Sequence, residues 1–260
     1  MTDTQESGDI ARKPRRRWLQ VSLRTLLILV TLLGITLGWV VNRGERQRRA
    51  VTALRRMGVA VSYEDGWTSE TKAAYLRGWL PSDYFEVVHA IGWPESTVSD
   101  ASLVHIQELG SLRYLSLDER PVTDAGLAHI EGLTNLEELD LGSTNVTDAG
   151  LAHVRNLKSL ERLNLTDIQA TDAGLRQLER LDSLKDLSLS GTQVTDTGLC
   201  QLQRLGLQEL KLCDTRVTDA GLSQLQRLTG LRALDLRWTQ VTAEGVGKLQ
   251  SMLPSCKIQY

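Results

Sequence analysis

The amino-acid sequence predicts an α/β solenoid, with parallel strands on its concave side and short helices on its convex side, that follows one N-terminal transmembrane helix. Three observations support this prediction: a motif that recurs about every 24 residues, a change of hydrophobic spacing inside each copy, and a long uncharged stretch near the N-terminus. The 260 residues are 41% hydrophobic and only 5% aromatic, so the core has to be mainly aliphatic.

The net charge of −2 conceals an uneven distribution along the chain. Residues 1–56 contain 12 Lys and Arg against 4 Asp and Glu, a net charge of +8, whereas residues 57–260 contain 18 against 28, a net charge of −10. An acidic body argues against nucleic acid as a partner. The 3 cysteines form no C-x-x-C pair, which argues against a disulfide scaffold and a cysteine zinc site.

Residues 18–42 are predicted to form a single-pass transmembrane helix. The stretch from Thr25 to Val41 carries no charge, and Arg24 can extend towards the lipid headgroups to complete the span. Trp18 and Trp39 lie where an aromatic belt places tryptophan. A cleaved signal peptide is the alternative, but the apolar run is long and ends without a small-x-small site, which favours an uncleaved anchor.

Both sides of the predicted span are basic. Residues 1–17 form a basic tail, and residues 43–57 form a basic amphipathic helix. Each flank holds six basic residues when Arg24 is counted with the tail, so the side of the membrane that the repeats occupy stays undetermined. The second helix could continue the membrane helix, lie on anionic headgroups, or be solvated. Its apolar stripe consists of Ala50, Val51, Leu54 and Met57.

The repeat is marked by an aspartate that follows Ser or Thr. L-x-x-L-x-L precedes it and G-L-x-x-[LIV]-x-x-L follows it in the regular copies. A last copy runs from Leu231 to Val241, and a degenerate first copy uses Val88, Ile91 and Trp93. The six aspartates, spaced by 24, 24, 24, 24 and 23 residues, are Asp100, Asp124, Asp148, Asp172, Asp196 and Asp219.

Two hydrophobic spacings within each copy predict two elements. A spacing of two predicts a short strand and a spacing of three predicts a helix or 3₁₀ turn. The V-T-D sequence between them predicts a helix start, with either Thr or Asp as the cap. One copy buries too few aliphatic side chains to offset the entropy of ordering its own backbone, so neighbouring copies must stack into a solenoid.

The repeats are predicted to occupy residues 88–260, including a C-terminal cap that ends in a short edge strand. Residues 43–87 are predicted to hold the juxtamembrane basic helix and an N-terminal cap, because a terminal repeat needs a cover. Aromatic residues concentrate in the predicted cap, where an aromatic binding cluster is the alternative. They are Tyr63, Trp67, Tyr75, Trp79, Tyr84 and Phe85.

These motifs resemble the leucine-rich repeat family over residues 88–253. The pattern is similar to the cysteine-containing type known from F-box substrate receptors, although threonine stands at four positions where that type has Cys or Asn. A hydroxyl there can bond the backbone of the turn. The Ser22–Leu27 segment joined to T-D-A-G-L repeats is also similar to membrane-anchored repeat proteins of bacteria. The four threonines are Thr144, Thr192, Thr215 and Thr239.

No motif for catalysis or for a bound cofactor is found, so we expect a non-catalytic protein without a cofactor or metal. His105, His129 and His153 are spaced by 24 residues, but each precedes an inward aliphatic residue and they read as a polar column on the convex face. The column of aspartates could suggest calcium, but we expect each of them to face a helix N-terminus instead.

What remains as a candidate site is the strand face of the solenoid, where acids outnumber bases nine to three. Such a face favours a protein partner of basic or mixed charge, whereas the alternative is that it serves solubility alone. We therefore predict a membrane-anchored protein-binding module. The resemblance to F-box receptors implies an alternative, the substrate receptor of a ubiquitin ligase. The predicted binding residues are Glu138, Asp140, Arg162, Asp186, Asp235, Arg237 and Trp238.

Overall fold

The computed structural model describes residues 23–64, 87–92 and 98–260. The chain divides into two compact units, Met1–Asn42 and Arg43–Tyr260. Helix α1 covers Leu23–Arg56, so its residues 23–42 belong to the first unit and its residues 43–56 to the second. The predicted basic tail and the start of the predicted span, including Trp18, lie outside the described residues.

In the first unit, the apolar part of α1 exposes its side chains. Its most apolar 18-residue window has a mean hydropathy of 2.1 and none of it is buried. Trp39 is 62% exposed and Leu33 is 67% exposed. Length and composition of this helix suit a membrane anchor and a signal sequence alike, and it is the one such helix among the described residues.

The second unit contains a sheet of nine described strands whose spatial order follows the chain. Strand β1 (Ala60–Glu64) pairs antiparallel with β2 (Val87–Gly92), and every later strand pairs parallel with the one before it. The seven later strands have three residues each. They are β3 (Tyr114–Ser116), β4 (Glu138–Asp140), β5 (Arg162–Asn164), β6 (Asp186–Ser188), β7 (Glu209–Lys211), β8 (Ala233–Asp235) and β9 (Lys257–Gln259).

A short helix follows each turn on the opposite side of the repeat, as the spacing of three predicts. Three copies add a 3₁₀ turn, at Ile106–Glu108, Ala128–Ile130 and Arg176–Arg180. The helices are α2 (Asp100–Leu103), α3 (Asp124–Leu127), α4 (Asp148–Leu151), α5 (Asp172–Leu175), α6 (Asp196–Leu202), α7 (Asp219–Leu225) and α8 (Ala243–Met252). The solenoid architecture predicted from the sequence is therefore confirmed.

The core consists of the inward leucines of successive copies. Leu139 is fully buried and Leu163 is 2% exposed. The degenerate first copy also keeps to the pattern, because Val88 and Ile91 are buried and Ile91 pairs with Leu115 of the next strand. The third member of that copy, Trp93, lies outside the described residues.

Threonine is the helix N-cap, and the aspartate after it joins one repeat to the next. The Thr147 Oγ1 accepts a hydrogen bond from the Ala149 N–H. The Asp124 carboxylate accepts from the Thr147 N–H at 2.8 Å and from the Thr147 hydroxyl at 2.7 Å. The same pair of bonds recurs at every junction from Asp100–Thr123 to Asp219–Thr242. Each aspartate thus faces the start of the next helix rather than its own.

The glycine of T-D-A-G-L is required by the same junction. A Cβ atom built on Gly150 would overlap Oδ1 of Asp124 in the preceding repeat, and Gly245 is in the same position relative to Asp219. The aspartate and the glycine of successive copies therefore fit together as one contact.

The threonine hydroxyls in the turn bond the backbone, as the resemblance implied. The Thr144 hydroxyl donates to the Leu141 carbonyl at 2.7 Å, and the Thr192 hydroxyl donates to the Leu189 carbonyl at 2.6 Å. Both threonines are buried. Because a buried hydroxyl needs a partner, this bond explains why threonine is tolerated at the position.

The C-terminal half of α1 covers the first repeat. Ala50, Val51 and Leu54 are at most 7% exposed and belong to the same core as the leucines, with Met57 packed against them. The apolar stripe therefore faces the repeats, and only the other side of this helix is left to meet solvent or headgroups. Of the aromatic residues assigned to the cap, Tyr63 lies in β1. The others, Trp67, Tyr75, Trp79, Tyr84 and Phe85, lie outside the described residues.

Candidate functional site: the outer face of the sheet

The two outward positions of each strand form two continuous columns. In the first column, Glu138 pairs with Arg162 and Arg162 with Asp186. In the second, Asp140 pairs with Asn164 and Lys211 with Asp235. The strand alternation predicts this arrangement, because the leucine between the two positions turns into the core. We call this outer face of the sheet the concave wall.

A groove of about 450 Å³ runs along the concave wall. It is lined by six of the seven residues predicted from the sequence: Glu138, Asp140, Arg162, Asp186, Asp235 and Arg237. The seventh, Trp238, does not line it. Glu209, Lys211, Asn164 and Cys213 also line the groove and were not among the predicted residues. Glu209, Lys211 and Asn164 stand at column positions that the repeat spacing indicates, whereas Cys213 follows β7 and lies outside the columns.

Each base of the groove is held by an acid. Arg162 Nε lies 2.9 Å from Glu138 Oε2, and Arg237 Nη2 lies 2.6 Å from Asp235 Oδ2. The bond from Arg237 lowers the pKa of Asp235. The Lys211 ammonium lies 3.1 Å from Glu209. In each of these pairs the nearby base offsets the negative charge of the acid.

Asp140 and Asp186 have a different environment from the paired acids. Asp140 accepts hydrogen bonds from the Gly142 N–H at 3.0 Å and from the Asn164 amide at 2.8 Å, neither of which carries a charge. Burial raises the pKa of Asp186, and neighbouring Glu209 raises it further. Neither carboxylate belongs to the close ion pairs described above, although Arg162, Lys185 and Lys211 act on Asp186 and partly offset the rise of its pKa.

Trp238 is a large apolar side chain at the turn after β8. It is 78% exposed, and the Arg237 guanidinium lies 5.7 Å from its ring centroid. Its φ is +58°, in the left-handed region that bulky residues avoid. The same turn position is left-handed in the other copies, occupied by Glu119, Ser143, Asp167, Gly191 and Asp214.

On the convex side, a cleft of about 430 Å³ lies between the end of α1 and the first repeat, beside His105 and Glu108. Among the described residues, no group of three His, Cys, Asp or Glu side chains could hold a metal ion. His153 Nδ1 lies 3.4 Å from Glu131 Oε2 on the surface, which is an ordinary contact between neighbouring repeats. The cysteines are free thiols, with Cys200 exposed and both Cys213 and Cys256 buried.

Comparisons with known proteins agree with this architecture. The family model described as Leucine Rich repeat matches residues 132–152, 182–199 and 228–249. The structure of internalin C2 from Listeria monocytogenes is 25% identical, covers 66% of this chain and 70% of its own, and superposes with a TM-score of 0.54. No curated protein matches the chain.

Two further solved structures show weaker likeness. Another internalin of Listeria monocytogenes is 23% identical with a TM-score of 0.48, over 60% of this chain and 49% of its own. A leucine-rich repeat protein of Leptospira interrogans is 21% identical with a TM-score of 0.42, over 60% of this chain and 51% of its own.

The fold and the matches define an α/β repeat scaffold of the kind that generally binds other proteins and is typically non-catalytic. This chain carries leucine-rich repeats, and its fold is similar to that of a bacterial protein, internalin C2. The resemblance to the cysteine-containing type stays a prediction.

Proposed function

We propose that this protein is a membrane-anchored, non-catalytic module that binds a protein partner of basic or mixed charge on its concave wall. The observation that supports it most is the register of the strands, which aligns acidic side chains over an open groove. Complementary charge accelerates encounter and selects partners, whereas a wall that served solubility alone would need neither the groove nor the alignment.

Within the groove, we expect Asp140 and Asp186 to receive the partner's cationic side chains. Glu138 and Asp235 are already engaged by Arg162 and Arg237, so a partner would have to replace or share those pairs. Trp238 lies just beyond the strands, at the edge of the expected contact. Because it is a large exposed aromatic ring, covering it with a partner would contribute strongly to the binding free energy.

The test is affinity capture with the full chain in detergent, followed by measurement of association with the captured protein. Changing Glu138, Asp140, Asp186 and Asp235 to Lys is expected to slow association and reverse its salt dependence. Trp238→Ala is expected to weaken binding by about 1–4 kcal/mol, chiefly through a faster rate of dissociation. Circular dichroism should show that the variants stay folded.

A matched control changes four acids away from the wall to Lys: Glu131, Glu179, Asp182 and Glu244. This variant carries the same change of net charge and should bind as the wild type does. Equal loss of binding in both quadruple variants would mean that net charge, rather than the concave wall, governs the interaction. Binding by both would leave the wall without a role in the contact.

The alternative function, a ubiquitin-ligase substrate receptor, requires a helical F-box ahead of the repeats. In the described part of that region, Arg43–Arg56 belongs to α1 and Ala60–Glu64 forms β1. No observation on the described residues favours this alternative, and fold similarity alone does not transfer function.

A further inference from the structure

The last turns of α1 carry two faces of opposite character. Ala50, Val51 and Leu54 are buried in the core of the repeats. At about 100° per residue, the opposite side of the helix carries a set of arginines, all exposed. We call this set the basic face; it consists of Arg48, Arg49, Arg55 and Arg56.

The basic face is strongly positive within an otherwise acidic unit. Residues 43–56 contain six arginines and one acid, Glu45, a net charge of +5, whereas residues 57–260 have a net charge of −10. Arg46 is engaged with the first repeat, since its Nη1 lies 3.7 Å from Glu108. Arg48, Arg49 and Arg56 line a shallow cleft of about 360 Å³ together with Glu45, Thr52 and Ala53.

We propose that the basic face binds the headgroups of anionic phospholipids. Guanidinium groups present several N–H donors in a plane that matches phosphate oxygens, and neighbouring arginines add their attraction to a negatively charged lipid surface. The buried stripe holds this segment to the repeats, so the arginines are presented by a rigid helix rather than by a mobile linker.

Continuity of α1 selects lipid as the occupant. The helix that carries the basic face is the same unbroken helix whose preceding stretch is apolar and exposed, and only Asn42 separates Val41 from Arg43. The acidic repeats would be repelled by an anionic surface, so the attraction is confined to this segment. This inference extends the proposed membrane attachment by naming the class of lipid.

The experiment uses the full chain in dodecyl maltoside and native mass spectrometry with equal amounts of dioleoyl-phosphatidylglycerol and dioleoyl-phosphatidylcholine. We expect the anionic lipid to be retained preferentially, by about fivefold for each arginine engaged at low salt. Changing the four arginines of the basic face to Gln should lower the ratio of the two lipids by about fivefold for each arginine engaged, leaving only the part due to the other basic residues. High salt should weaken the wild-type preference.

The control variant changes four exposed arginines of the repeats to Gln: Arg155, Arg176, Arg180 and Arg204. It should keep the wild-type preference. No preference in the wild type, equal loss in both variants, or displacement of the anionic lipid by an equimolar single-stranded oligonucleotide would each overturn the proposal. Membrane extraction measured separately distinguishes these failures from a failure of the anchor, because α1 can insert without selecting headgroups.

Discussion

At the scale of single residues, the contrast between inward and outward positions determines what a substitution costs. Leu163 is 2% exposed in the middle strand of the sheet, whereas His153 lies half-buried on the convex side beside Glu131. Leu163→Ala is expected to lower the free energy of unfolding by about 2–5 kcal/mol, because it leaves a cavity in the core. His153→Ala should cost less than about 0.5 kcal/mol. Denaturant melts of the two variants measure both, and equal losses would contradict the assignment of the faces.

Trp238 costs stability where it stands. A residue other than glycine in the left-handed region lowers the free energy of unfolding by about 1–2 kcal/mol, and the copy that contains β6 has Gly191 at this position. Glycine, however, loses more conformational entropy on folding than other residues, which costs about 0.5–1 kcal/mol. We therefore expect Trp238→Gly to leave the free energy of unfolding unchanged or raise it by up to about 1 kcal/mol.

Ser143→Gly, at the same turn position of another copy, is the control for Trp238→Gly and should behave alike in thermal melts. A loss of more than about 1 kcal/mol at Trp238 alone would show that its ring stabilises the fold. If stability holds while binding of the captured partner weakens, the strained and exposed ring is retained for the contact.

The sequence predicted the residues of the core better than the contacts on the concave wall. The repeat spacing predicted the buried leucines of the strands, such as Leu139 and Leu163, and the outward direction of their neighbours, because side chains alternate along a strand. It did not predict which acids would pair with which bases. Those pairs, such as Arg162 with Glu138, depend on side-chain rotamers and on neighbours 24 residues away.

At the scale of elements, the start of each helix is fixed by three residue types in two adjacent copies. Threonine caps the helix, aspartate reaches to the next threonine, and glycine makes room for that aspartate. Sequence alone left open whether Thr or Asp is the cap, because both residue types favour this position. The aspartate's partner lies in the next repeat and therefore became visible only once the copies were stacked.

The fit between aspartate and glycine can be tested at the last junction, where the three atoms nearest to a Cβ built on Gly245 all belong to the Asp219 side chain. Gly245→Ala alone should destabilise the protein through overpacking, by about 1–3 kcal/mol. In the Asp219→Ala background the added methyl group finds space, so the second substitution should cost less. A double-mutant cycle in urea measures this coupling; strictly additive losses would mean that the two residues do not compete for space.

At the scale of the whole molecule, charge and hydrophobicity divide the chain in the same way. The long uncharged stretch and a net charge of +8 lie in its first 56 residues, and residues 57–260 carry a net charge of −10. A membrane surface that attracts the basic face would repel the repeats and leave the concave wall accessible to a partner. The solenoid was predictable from the period. The role of the apolar stripe was not, because a pattern of apolar residues does not say which surface covers it.

The last prediction concerns the anchor. If residues 18–42 span a bilayer uncleaved, the full chain should stay in the membrane fraction after carbonate extraction, and mass spectrometry should find the mature N-terminus before Trp18. The double variant Leu29→Arg and Leu33→Arg should release the chain, because two charges at the centre of the span cost several kcal/mol. Arg155→Gln and Arg176→Gln, outside the helix, should release nothing. A soluble product that begins near residue 44 would identify a signal sequence.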